Sequence, residues 1–139
     1  MPSGQPPPEP RQLTFFLDRA LGRHDVANAL RSAGHIALPM VDVYPAGADQ
    51  TVSDPDWIGE VSGKGWIALT KDLSIVRDHA DALAASTLRL FALNSANLTG
   101  AQMAQRYVDK LPAIVRRSAS PGPYVYAVTA GGLERRWPK

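Results

Sequence analysis

Five carboxylates stand where the ends of a sheet could gather them. Asp18 ends the apolar run LTFFLD (13–18), Asp42 follows HIALPM (35–40), and Asp72 closes WIALTKD (66–72). Asp56 and Glu60 lie between the second and third runs, four residues apart. On a helix that spacing puts both on one face. Like charges so placed cost roughly 0.2–0.5 kcal/mol, which the helix N-terminus offsets in part for Asp56 and a bound cation would offset better. All these donors are hard oxygens. There is no cysteine, and His24, His35 and His79 lack the spacing of metal ligands. Such a set favours Mg²⁺ or Mn²⁺ over zinc. These ions lower the pKa of a coordinated water and stabilise an in-line displacement at phosphorus, so a phosphodiester is the natural substrate. Each acid also has a plainer use. Asp18 and Asp72 could cap the helices that follow them, Asp54 reads as the N-cap of its helix, and Asp42 could be an ordinary loop acid.

Charge is distributed unevenly. Residues 1–82 hold 7 Lys/Arg against 11 Asp/Glu, and residues 83–139 hold 8 against 2, which recovers the net +2. An acidic front and a basic back suit a protein that holds a cation with one part and a polyanion with the other. The same count is also consistent with ordinary surface scatter.

The elements that must position the acids alternate. The run 13–18 reads as a strand, 21–34 as a helix stopped by Gly34, and 35–40 as a second strand, short or near an edge because of Pro39. A loop follows over 41–53. The segment SDPDWIGEVSGKG reads as a short helix with Asp54 as N-cap and Pro55 at the first helical position. WIALT is the third strand, a helix of unclear start lies within 73–86, and LRLFALN (88–94) is the fourth strand. Thr99 and Gln102 have capping-box spacing, and Leu98 with Met103 has staple spacing, so a helix begins there. Pro112 is expected to kink or divide it. YVYAVTAGGLERRW reads as a hairpin. This order predicts a three-layer α/β/α sandwich with a mostly parallel sheet and an antiparallel hairpin at one edge. Right-handed crossovers then bring the strand ends, and Asp18, Asp42 and Asp72 with them, to one edge of the sheet.

The chain length suits one domain over 11–139. The proline-rich segment 1–10 reads as a disordered tail; it lacks the apolar core of a signal peptide. No apolar run is long enough to span a bilayer. Lack of cysteine fits a reducing compartment, so the cytoplasm is the expected location. A phosphate-binding glycine loop, a GxGxxG turn and a GxSxG elbow are all missing. A receiver-like phosphoacceptor is disfavoured, because LDRAL has no acidic pair and YVYAVT no terminal lysine.

FFLDRALGRH, ALRSAGH, DPDWIGEVSGKGWIALTKD and LFALNSANLTGAQMA, in this order, resemble the PIN-like nuclease domains over residues 13–130. The resemblance is closest to small bacterial PIN-like toxins of toxin–antitoxin modules. It implies acids that bind Mg²⁺ or Mn²⁺ and cleave single-stranded RNA. Asp18 corresponds to the acid after the first strand. Asp72 corresponds to the acid of the T-x-D element, here Thr70-Lys71-Asp72. Asp56 or Glu60 corresponds to the helix acid, with Asp56 preferred. A further acid expected soon after T-x-D is missing, since LSIV follows and the next acid is Asp78; Asp42 is the available substitute. The expected function is therefore a metal-dependent endoribonuclease, the toxin of a pair with a cognate antitoxin. RNA phosphates would be held by Arg19, Lys71, Arg116 and Arg117, and a homodimer is compatible with the resemblance. The alternative is a non-catalytic module of the same fold that binds RNA or protein through Arg116, Arg117, Arg135 and Arg136.

Overall fold

A computed structural model describes residues 12–45, 47–95 and 97–139. The tail expected over 1–10 lies outside the described residues. Six strands form one sheet in the order β2-β1-β3-β4-β5-β6. They are β1 (Thr14–Leu17), β2 (Ile36–Pro39), β3 (Ile67–Thr70), β4 (Arg89–Leu93), β5 (Tyr124–Thr129) and β6 (Gly132–Trp137). The first five run parallel, and β6 returns antiparallel to β5. As Pro39 suggested, β2 is a four-residue edge strand.

The helices are α1 (Asp25–Ser32), α2 (Met40–Val43), α3 (Asp54–Gly63), α4 (Ser74–Asp78), α5 (Ala80–Ala84) and α6 (Gly100–Ser118). Strand alternation sorts the core into two layers. Phe15 and Leu17 pack with Val26 and Leu30 of α1 and with Tyr107 and Ile114 of α6. Phe16, Ala68 and Leu90 point the other way, toward Trp57, Ile58 and Val61 of α3 and Leu83 of α5. Each fully buried side chain of this size contributes roughly 1.5–3 kcal/mol.

Helix ends show how the sequence sets its own boundaries. Gly34 (φ 94°) and Gly65 (φ 71°) adopt the left-handed backbone just past α1 and α3. The residues after them, His35 and Trp66, donate back to the Leu30 and Val61 carbonyls. This glycine stop turns each helix into the strand that follows it. At the start of α6 the capping box is complete: Gln102 N–H donates to Thr99 Oγ1 (3.1 Å) and Thr99 N–H to Gln102 Oε1 (2.9 Å).

Four expectations need adjustment. The first helix begins at Asp25, not near Leu21, because residues 19–21 form a 3₁₀ turn that ends at Gly22 (φ 70°). The presumed loop 41–53 contains α2 and a 3₁₀ turn, Ala48–Gln50. The N-cap of α3 is Ser53, whose hydroxyl accepts from Asp56 N–H (3.2 Å); Asp54 is the first helical residue. Finally, Pro112 does not divide α6, which runs unbroken over 19 residues. An interior proline costs about 3 kcal/mol, and burial of Leu111 and Ile114 on either side offsets it.

Candidate active site

The path of the chain along the sheet reverses between β1 and β3. In open α/β sheets the crevice outside such a point is where ligands bind. Asp18 emerges there from β1 and Asp72 from β3. The Asp18 N–H donates to the Leu69 carbonyl (3.0 Å), which extends the ladder to the acid itself. Its side chain caps nothing in the turn that follows. Instead Asp18 Oδ2 accepts from the Thr70 hydroxyl at 2.6 Å. The same hydroxyl oxygen accepts from the Asp72 N–H at 3.1 Å. Thr70 is fully buried, so one fixed hydroxyl clamps both strand ends.

Asp72 is the more exposed acid. Its Oδ1 accepts from the Ser74 N–H (2.9 Å) and hydroxyl, a local turn that starts α4. The N-cap position of α4 is Leu73, so Asp72 is not the cap but holds the turn before it through one oxygen, and Oδ2 accepts no hydrogen bond among the described residues.

Burial raises the Asp18 carboxyl above its usual 3.8. The Thr70 hydrogen bond opposes this, and the charge of Asp54 adds to it. Asp54 is the residue that sequence reasoning set aside as a cap. At the first turn of α3 its Oδ1 accepts from Trp57 Nε1 (2.8 Å), and its Oδ2 lies 3.1 Å from His79 Nε2. Trp57 in turn packs against Phe16 of β1, ring centroids 5.2 Å apart. A buried tryptophan therefore fixes the acid three residues before it on the side of the sheet where Asp18 ends. The local signal was the capping-box spacing of Ser53 and Asp56, which puts the cap at Ser53 and frees Asp54 but does not aim it.

The other candidates distribute differently. Asp56 and Glu60 share a face, as the spacing required, but that face looks toward Tyr44. The Tyr44 hydroxyl donates to Glu60 at 3.0 Å. Burial, then Glu60, then Asp56 push the Tyr44 pKa up to about 12. Asp42 is exposed on α2, just beyond β2. Arg19 and Lys71 directly follow and precede the two strand-end acids, and neither forms an ion pair among the described residues.

Arg116 and Arg117 lie at the far end of α6. There Arg89, the first residue of β4, donates to the Ser118 carbonyl (2.6 Å), and Tyr124, the first of β5, donates to the Arg117 carbonyl (2.9 Å). These contacts put the two arginines at the amino ends of the strands, across the sheet from the acids. His24 is exposed, while buried His35 accepts the Leu13 N–H on Nδ1 (3.0 Å). Among the described residues no group of three or more His, Asp or Glu side chains stands close enough to hold a metal ion by itself. No described helix is long and apolar enough to cross a membrane.

A mostly parallel sheet with carboxylates clamped at its switch point defines an α/β protein with an acidic edge site. A family model described as PIN like domain matches residues 13–95, and the chain belongs to that family. It is also 36% identical over 123 residues to a Mycobacterium tuberculosis protein named "Putative ribonuclease VapC45", covering 87% of this chain and 89% of the relative. No solved structure matches it.

Proposed function

We propose that the protein is a metal-dependent endoribonuclease and the toxin of a toxin–antitoxin pair, with RNA as substrate and a cognate antitoxin as partner. The observation that carries this reading is the Thr70 clamp: a buried hydroxyl that ties Asp18 and Asp72 together at the switch point. The ribonuclease name of the relative supports the same chemistry.

The donor set fits Mg²⁺ or Mn²⁺. Asp18 is held partly buried with a second carboxylate near it, and both features raise its pKa; a dication would relieve both. Mg²⁺ needs only one or two protein carboxylates besides water and phosphate oxygens. Asp18 and Asp72 would hold the ion, and Asp54, in the place expected of Asp56, would add negative charge beside Asp18. When bound, it would supply Lewis-acid charge neutralisation and acidify a coordinated water. The rest falls to the chain itself. Thr70 fixes the rotamer of Asp18 through one oxygen and leaves the other outward. Arg19 and Lys71 flank the acids and would hold the phosphates on either side of the cut. Asp42, Asp56 and Glu60 would add negative charge around the crevice.

The test is cleavage of single-stranded RNA with and without Mg²⁺, for wild type, Asp18→Asn and Asp72→Asn. Loss of cleavage by about 100-fold or more in both variants is expected, since even residues that only orient metal ligands cost 10–100-fold. Unchanged cleavage in both would end the proposal. That no three carboxylates among the described residues stand close enough to hold an ion favours a second reading, a binding module without catalysis. Equal, negligible Mg²⁺ affinity of wild type and Asp72→Asn would select it.

A further inference from the structure

Directly beside the acids a cavity of about 260 Å³ opens at the carboxyl ends of β1 and β2. Arg19, Arg23, Met40, Val41, Asp49 and Gln50 are among its lining residues. Asp49 is the unusual member. It sits in the 3₁₀ turn Ala48–Gln50 with only 7% of its surface exposed. Its N–H is tied to the Tyr44 carbonyl (3.1 Å), so its backbone is anchored to the segment after α2. Its Oδ2 accepts from Gln50 Nε2 at 2.9 Å. Oδ1 accepts nothing among the described residues, yet it is not sealed in, because no fully buried side-chain oxygen lacks a partner. Asp49 is a lining residue of the cavity, and Oδ1 is the acceptor it has available. Neither Arg19 nor Arg23 forms an ion pair with it. A ligand that brings donors would pair with this open acceptor.

We infer that this cavity is a nucleobase pocket that selects guanine beside the phosphate being cut, with Asp49 as the specificity-determining residue. The inference rests on the ribonuclease reading. A carboxylate is an acceptor with about four lone-pair sites, so Oδ1 is open and Oδ2 retains capacity beyond Gln50. Guanine presents two adjacent donors on its Watson–Crick edge, the ring N1–H and the 2-amino group. Adenine and cytosine place a ring-nitrogen acceptor next to their amino group, and that acceptor would face the second carboxylate oxygen. Uracil has one N–H between two carbonyls. Unstacked bases of single-stranded RNA are read on this edge. Arg19 immediately follows Asp18, and Arg23 lies one short turn further on, so the phosphate of the same nucleotide would meet cations at the rim. The volume lies just below the roughly 300–1,000 Å³ of pockets for drug-sized ligands, which suits one nucleotide.

Two measurements test it. The first needs no catalysis: titration of the full chain with guanosine 5′-monophosphate and adenosine 5′-monophosphate in EDTA, followed by NMR shifts. Wild type should favour the guanosine nucleotide by about tenfold or more, since a good bidentate base contact is worth that much. Asp49→Asn, nearly isosteric and still able to accept from Gln50, should erase the preference. Arg23→Gln, a surface change, should weaken both nucleotides alike. The second maps cleaved ends in a random single-stranded RNA pool, where guanosine should be enriched at one position next to the cut and the enrichment should be lost in Asp49→Asn. Equal binding of both nucleotides, or a guanosine preference that survives Asp49→Asn, overturns the pocket. Cleavage without any base preference overturns it while leaving the ribonuclease intact. Guanosine selectivity without cleavage supports the pocket and removes the ribonuclease reading instead.

Discussion

The two ends of the same sheet carry polar groups put to opposite uses. At the amino ends of the strands, Arg89 donates to the carbonyls of Ser118 (2.6 Å) and Gly65 (2.7 Å), and Tyr124 donates to that of Arg117 (2.9 Å). These groups complete backbone carbonyls that helix ends leave open. At the carboxyl ends, Asp18, Asp72 and Asp49 are each held through one oxygen while the other accepts no side-chain hydrogen bond among the described residues. Hydrogen bonding at the amino end closes the fold. At the carboxyl end it fixes orientation and leaves one oxygen of each carboxylate without a side-chain donor among the described residues. On the proposed function, the difference separates residues that stabilise from residues that act, and it can be measured.

Between the two ends, the larger effect on cleavage should come from the clamp. Thr70→Val keeps the shape but removes the hydroxyl that serves both acids. Nuclease activity is expected to fall about 10–100-fold, and stability by about 1 kcal/mol because the Asp72 N–H loses its acceptor. Thr70→Ser should restore most of the activity; if Val and Ser behave alike in RNA cleavage, the clamp does not orient the site. At the other end, Arg89→Ala should lower unfolding stability by about 2 kcal/mol in urea titrations, with cleavage per folded molecule unchanged. A fall in cleavage with intact folding would show that the amino edge takes part in the reaction.

The smallest effect has a telling sign. The Asp18 carboxyl is raised above 3.8 mainly by burial, so the folded state holds this proton more tightly than the unfolded chain does. Its contribution to stability is therefore greatest at acid pH and falls as pH rises from the ordinary carboxylate range through the raised pKa. Asp18→Asn should remove that loss. In EDTA at pH 7 its Tm should exceed that of wild type by a few degrees, and near pH 3 the two should converge. A variant less stable than wild type at pH 7 would mean that Asp18 serves the fold, like Arg89, and not the site.

The sequence made β1, β3, β4 and β5 legible because each is a short, mostly apolar run that ends on or runs into a polar residue, and α6 because its capping box is written in full at Thr99 and Gln102. The single turn of α2 was hidden: four residues after Pro39 show no helical period. The helical stretch 73–86 is two short helices separated at His79, too short for either to register its own face. Among site residues, Asp18 and Asp72 could be placed from strand ends alone. Asp54 could not, because its position depends on the Trp57 indole and on Ser53 taking the cap. Asp49 could not either, since nothing local announces burial in a 3₁₀ turn. Arg116 and Arg117 looked like substrate contacts from charge alone; only the direction of α6 shows that they emerge at the opposite edge.

The Thr70–Asp18 hydrogen bond joins residues 52 apart in the chain. A nascent polypeptide that has emerged only through α1 and β2 carries Asp18 but nothing to orient it. Domains fold as units during synthesis, and the sheet here is filled last by β5, which pairs with β4, and by β6, which pairs with β5 and closes the edge. A site assembled this way would stay unformed on the ribosome until nearly the whole chain is made.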